Sequence, residues 1–164
     1  MNILVTGGTG YIGSHTVVEL QNSGHSVVVI DNLSNSDAKS LKRVAEITGQ
    51  DVDFYNVDIR DFDAMDSVLN KYHFDCCIHF AGLKAVGESV AKPLKYYDNN
   101  VGGTITLLRA LNKHNCKNII FSSSACVYGD AKIIPKAARQ IANEIIHLFT
   151  FRRRTPGIPK DQEL

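Results

Sequence analysis

The stretch Ile3-Leu4-Val5-Thr6-Gly7-Gly8-Thr9-Gly10-Tyr11-Ile12-Gly13 sets Gly7, Gly10 and Gly13 directly behind an apolar run. The segment after it, His15 to Leu20, has helical texture, so the order is strand, glycine turn, helix. In that order each glycine has its own task. Gly7 turns the chain, Gly10 lets the backbone approach a pyrophosphate, and Gly13 lets helix and strand pack closely. The unpaired N–H groups and positive dipole end of the new helix then favour an anion. The pattern reads as a dinucleotide cradle, where without its flanks it would be only a tight turn.

Working outward, strands and helices alternate. Strands are expected at Asn2–Thr6, Ser26–Asp31, Asp53–Asn56, Cys76–Phe80 and Asn118–Ser122, and helices at Ile12–Ser23, Ala38–Thr48, Phe62–Tyr72 and Pro93–Asn115. The strands are short runs rich in Val and Ile, as a sheet covered on both faces requires. The expected fold is therefore α/β, a doubly wound, Rossmann-like parallel sheet. In the last helix Gly102-Gly103 should weaken or bend the path. Past Pro135 the texture changes. An amphipathic helix is expected over Lys136–Phe151, with Ala138, Ile141, Ile145, Leu148 and Phe149 on one face, followed by Arg152-Arg153-Arg154 and a stop at Thr155-Pro156-Gly157. The division expected is a dinucleotide-binding domain over 1–135 and a helix with a loose tail over 136–164.

The 164 residues carry a formal net charge of +1, which offers no electrostatic case for nucleic acid or a membrane surface as partner. No apolar stretch approaches the roughly 20 residues of a membrane span, and no secretory signal precedes the first strand, so a cytoplasmic protein is expected. The cysteines Cys76, Cys77, Cys116 and Cys126 show no ligand spacing; buried reduced thiols are expected and a metal site is not.

Two acids stand where strands end. Asp31 closes the second strand at about the 20-residue spacing of a ribose-reading carboxylate, which accepts from ribose hydroxyls and repels a 2′-phosphate. The cofactor expected is NAD rather than NADP. Asp58, in Val57-Asp58-Ile59 after the third strand, would reach an adenine amino group with Ile59 beside the ring; helix capping through Asp58 or Asp61 is the alternative.

The glycine spacing, taken with His79-Phe80-Ala81-Gly82 after the fourth strand, resembles the extended short-chain dehydrogenase/reductase family. Three further runs are similar to its UDP-glucose 4-epimerase branch: Leu83-Lys84-Ala85-Val86-Gly87-Glu88-Ser89-Val90, Pro93-Leu94-Lys95-Tyr96-Tyr97-Asp98-Asn99-Asn100 and Ser122-Ser123-Ser124-Ala125-Cys126-Val127-Tyr128-Gly129-Asp130. The likeness runs from Met1 to about Pro135. It implies an isomerase of galactose metabolism that interconverts UDP-glucose and UDP-galactose by transient oxidation at sugar C4 with bound NAD. Tyr11 and Ile12 then sit over the pyrophosphate. Asp31, Asn32, Leu33, Ser34, Asn35 and Ser36 surround the adenosine ribose, and Asp58 and Ile59 meet the adenine. Phe80, Ala81, Gly82, Leu83 and Lys84 line the nicotinamide half, with Asn99 on the same wall; Lys84 and Asn99 also approach the UDP-sugar substrate. Ser124 is the catalytic residue implied, bonding the hydroxyl that is oxidised. His79, on an apolar strand, reads as a satisfied core histidine, and Tyr96 and Tyr97 as packing against a neighbouring helix or a partner subunit. A homodimer through the 93–115 region is the oligomer expected.

The likeness also has departures. The family's base is a tyrosine followed four positions later by a lysine, whose charge favours the phenolate. Tyr128-Gly129-Asp130-Ala131-Lys132 satisfies that pattern literally, but it follows Ser124 too closely and carries a glycine, and no tyrosine occurs after it. Cys126 stands where the family usually has threonine. The expectation is the NAD-binding part of the family with an unrelated ending, no sugar-nucleotide lobe and little turnover on its own. Two readings follow: an epimerase whose ending is altered, or a non-catalytic NAD-binding module that pairs with the full-length enzyme. Either way, the fifth strand is expected to leave an open apolar edge.

Overall fold

The computed structural model describes residues 1–123, in which five parallel strands form one sheet in the order β3-β2-β1-β4-β5. β1 (Asn2–Thr6) is central. It pairs with β2 (Ser26–Asp31) in the register Leu4↔Val28 and with β4 (Cys76–His79) in the register Leu4↔Cys77. β3 (Asp53–Asn56) lies beyond β2, and β5 (Ile119–Phe121) beyond β4. The parallel doubly wound sheet expected from the alternation is the sheet observed; β4 stops one residue before the expected Phe80, and β5 lacks the expected Asn118 and Ser122 at its ends. The order reverses between β1 and β4, and the carboxyl ends of those two strands flank the crevice where such sheets hold ligands.

The pleat sorts the apolar residues between two faces. On one, Ile3, Val5, Val29 and Ile78 pack with Val17 of α1 (Tyr11–Asn22) and with Leu41 and Val44 of α2 (Lys39–Thr48). On the other, Leu4, Ile30 and Cys77 pack with Met65 and Leu69 of α3 (Phe62–Leu69). Cys76, Cys77 and Cys116 are buried free thiols, and burial pushes the Cys77 and Cys116 thiols up, the latter to about 11.

The segment expected as one helix over Pro93–Asn115 is divided. A short helix, α4 (Val86–Ala91), which the sequence reading missed, precedes it; α4 contains Gly87 and buries no residue, so no apolar periodicity announces it. α5 (Pro93–Tyr96) then begins at a proline, whose fixed φ suits a first helical position. A π-helical turn, Tyr97–Gly102, leads into α6 (Gly103–Lys113), whose Leu107 and Leu111 join the second core. Gly103 lies where a Cβ would come within 2.7 Å of Ile59 Cδ1, so α6 can approach the β3–α3 connection closely. The glycine pair thus marks a change of helical winding as well as a close contact. α3 stops at Leu69 rather than Tyr72; its start is capped by Asp61, which accepts from the Ala64 N–H at 3.0 Å.

Ser124, Cys126, the Tyr128–Lys132 run, the helix expected over 136–151 and the tail lie outside the described residues. Among the described residues no helix is long and apolar enough to cross a membrane.

Candidate functional site

A cleft of about 290 Å³ opens at the carboxyl ends of the central strands. Gly7, Gly10, Tyr11, Ile12 and Gly13 form one wall, and Asp31, Asn32, Ser34 and Asn35 a second. Val57 and Ile59 form a third, and Phe80, Ala81, Gly82, Leu83 and Lys84 face them beside Asn99. The structure therefore gathers residues from four separate strand ends. Val57 was not singled out from the sequence, although the rule that selected Ile59 covers it: both follow β3 at the sheet's carboxyl edge.

The glycine wall has specific geometry. Gly7 has φ +73°, and a Cβ there would lie 2.6 Å from the Ala81 nitrogen, so the turn after β1 rests against the segment after β4. A Cβ on Gly13 would run into the Gly7 carbonyl oxygen and lie 2.8 Å from Gly8 Cα. Gly10 caps α1 without any side-chain hydrogen bond, and the first turn holds no acidic residue. The orphan amides and the positive dipole end face the cleft with no carboxylate of their own turn competing for them. A phosphate group fits that arrangement.

Asp31 is buried, and its carboxylate organises the second wall. Oδ2 accepts from the Thr9 N–H at 3.2 Å; Oδ1 accepts from the Leu33 N–H at 2.9 Å and from the Ser36 hydroxyl at 3.0 Å. The Ser36 oxygen in turn accepts from the Thr9 hydroxyl at 2.7 Å. Leu33, at φ +56°, is held in the left-handed region by its bond to Asp31. Leu33 and Ser36 thus brace Asp31 and do not line the cleft.

Asp58 also stands behind the lining. Arg60 grips its carboxylate through Nε at 3.0 Å and Nη2 at 2.8 Å, and Asn32 Nδ2 donates to it at 2.9 Å. Those bonds, the Arg60 side chain's above all, hold the carboxyl far below the usual carboxylate range. Arg60 Nη1 reaches on to Asp98 at 2.7 Å, tying this wall to the π-helical turn.

A second cleft of about 510 Å³ lies on the far side of Phe80–Lys84, with His79, Asn100, Thr104, Phe121, Ser122 and Ser123 around it. His79 is buried between two hydroxyls: Thr6 Oγ1 at 2.6 Å from Nδ1 and Thr104 Oγ1 at 3.0 Å from Nε2. The Thr104 hydroxyl donates to the Asn100 carbonyl at 2.6 Å. It can therefore only accept from His79, which fixes the tautomer: Nε2 carries the proton, and Nδ1 accepts from Thr6. Burial, with the Lys84 charge adding to it, pushes the His79 pKa down to about 4. His79 is neutral near pH 7 and fully paired, the core histidine that its apolar strand suggested. Among the described residues no group of three or more His, Cys, Asp or Glu side chains is placed to hold a metal ion.

Comparison with known proteins gives a consistent outcome. A model of the NAD dependent epimerase/dehydratase family matches residues 3–147, past the Pro135 limit read from the sequence. The UDP-glucose 4-epimerase of Bacillus subtilis is 61% identical over 135 residues, which is 82% of this chain and 40% of that protein. The enzyme of Dictyostelium discoideum is 54% identical over 133 residues. The chain spans about 40% of the length of these curated relatives. Among solved structures, the UDP-glucose 4-epimerase of Stenotrophomonas maltophila, with bound NAD and formylated UDP-arabinopyranose, aligns with a TM-score of 0.80 at 41% identity, covering 90% of this chain and 48% of that one. The Bifidobacterium longum enzyme, in complex with NAD+ and UDP, gives 0.79 at 44% identity, covering 90% of this chain and 50% of that one.

Proposed function

This chain belongs to the NAD dependent epimerase/dehydratase family, and from that premise we propose that its first cleft holds NAD and that it supplies the cofactor-holding part of a UDP-glucose 4-epimerase. The observation that carries this reading is the bare N-terminus of α1 above the glycine turn, with the buried Asp31 carboxylate at the neighbouring strand end. The α1 amides take the pyrophosphate and Asp31 the adenosine ribose hydroxyls, while Val57 and Ile59 pack beside the adenine. Lys84 donates to the second ribose, and Ser124 holds the sugar hydroxyl. Bound NAD supplies the hydride acceptor for oxidation at C4 of UDP-glucose or UDP-galactose, a step of galactose metabolism. Buried reduced thiols at Cys76, Cys77 and Cys116 support a cytoplasmic location.

Calorimetry and thermal melting test the cofactor reading. NAD at 100 times its Kd should stabilise the chain by about 2.7 kcal/mol, and NADP should do far less. Asp31→Asn should weaken NAD binding by about tenfold, as the loss of charge-assisted bonds predicts, and narrow the gap to NADP. An unchanged melting curve at millimolar NAD refutes the reading. NAD binding without conversion of UDP-galactose leaves the non-catalytic module as the surviving reading.

The same region supports a contact with a second copy. Tyr97, Val101, Ile105 and Leu108 are exposed at helical spacing across the π turn and α6, an apolar stripe facing solvent. Sedimentation should show a dimer that Ile105→Glu dissociates; a monomer across the micromolar range would remove this part of the proposal.

A further inference from the structure

Phe80–Lys84 is a thin partition, because the same five residues line both clefts. A strand would be fixed by a ladder of backbone bonds, but this segment has left the sheet. Its last ladder-like bond is Phe80 N–H to the Thr6 carbonyl at 2.9 Å. Three residues on, the Leu83 N–H donates to Asn100 Oδ1 at 2.8 Å, and Asn100 Nδ2 donates to the Leu83 carbonyl at 2.9 Å. One side-chain amide thus gives Leu83 the paired donor and acceptor that a neighbouring strand would have given.

Asn100 is itself held on several sides. Asn99 Nδ2 donates to its Oδ1 at 2.9 Å, and the Thr104 hydroxyl donates to its carbonyl. Thr104 is bonded to His79, and His79 to Thr6 in the centre of the sheet. The π-helical turn has a mechanical role here. It presents the adjacent residues Asn99 and Asn100 to opposite sides of the partition, Asn99 in the first cleft and Asn100 in the second. Extra residues of this kind inside helices recur at functional sites.

We propose that Asn100 is a positioning residue: its amide stands in for a missing strand at Leu83 and so sets where the Leu83–Lys84 backbone sits between the two clefts. The consequence for cofactor binding rests on the NAD reading above; the clamp itself does not. Asn100 touches the partition and not the glycine turn or Asp31, so its loss should act on the nicotinamide half of the cofactor and spare the adenosine diphosphate half.

The test uses the full chain with Asn100→Ala, and Asn100→Asp as a near-isosteric second variant that keeps an acceptor for the Leu83 N–H but loses the donor to its carbonyl. Amide hydrogen exchange at Leu83 should speed up about tenfold or more in Asn100→Ala, while Val5 and Val29 in the core keep their native rates. NADH should bind about tenfold more weakly, with ADP affinity within twofold of the native chain. Asn100→Asp should fall between the two. Native exchange at Leu83 in Asn100→Ala overturns the clamp, as does a parallel rise at Val5 and Val29. An equal loss of NADH and ADP binding shows a general structural role and overturns the positioning claim. If the native chain ignores NADH altogether, the cofactor reading falls with the positioning claim, and Leu83 exchange still decides the clamp.

Discussion

Gly13→Ala should lower the melting midpoint by roughly 5–10 °C, which corresponds to about 2–3 kcal/mol for overpacking in a chain of this size, and should remove measurable NAD binding. Both effects have one cause. The added Cβ meets the Gly7 carbonyl oxygen and Gly8 Cα, which are backbone atoms and cannot rotate away. Relief requires α1 to lift from β1, and the lift carries the amides of the first turn out of the cleft. The better helix propensity of alanine recovers only about 1 kcal/mol. Thermal melting with and without NAD checks the prediction. A variant that melts within a degree of the native chain and still binds NAD would show that the turn yields in a way this packing does not allow. By contrast, a Cβ on Gly10 would meet only the Gly7 oxygen, at 3.3 Å, so Gly10→Ala should be milder in stability.

Acid destabilises the native chain through His79. Its folded pKa is about 4, below the 6.5 of an unhindered imidazole, because burial penalises the cation. As pH falls, the unfolded chain takes up the proton first, so the stability present above pH 6.5 is lost between 6.5 and 4. The shift is worth about 3 kcal/mol at 1.36 kcal/mol per pH unit. Protonation also gives both ring nitrogens a hydrogen, and Nδ1 can then no longer accept from Thr6. Urea denaturation of native chain and His79→Gln at pH 7 and pH 4 should show a steeper loss for the native chain by about that amount. Equal losses would mean that His79 does not couple to folding.

The two clefts also clarify a division of labour among residues that looked alike in the sequence. Asp31 and Asp58 both follow strand ends, and both were natural candidates for touching a nucleotide. Asp31 lines the cleft, with two donors from its own wall and one from the glycine turn already satisfying part of its oxygens. Asp58 is turned to Arg60 and Asn32, and its carboxylate joins the Val57–Ile59 wall to the π turn through Arg60 and Asp98. Strand-end position alone does not separate them. What does is the arginine two residues after Asp58, which reaches back to it and has no counterpart after Asp31.

The fold was legible because its determinants are local. Apolar runs such as Val27–Ile30 bury on both faces of a parallel sheet whatever surrounds them, and the glycine turn states its own φ requirement at Gly7. The glycine turn, Asp31 and the partition segment could all be placed from strand ends. Less legible were α4, with no buried residue to mark it, and the π turn, since a glycine pair signals weakness in a helix without saying how the winding changes.

From the sequence alone came the alternation of strands and helices, the glycine turn at Gly7–Gly13 and the acid, Asp31, that closes β2 beside it. Only the tertiary structure decided that Asp58 turns to Asn32, that His79 is held between Thr6 and Thr104, and that Asn100 completes the backbone of Leu83. The reason is distance along the chain. Helix, strand and turn are set by neighbours a few residues apart, whereas a side chain's partner across 17 residues or more exists only after packing has excluded water and brought the two groups within bonding range.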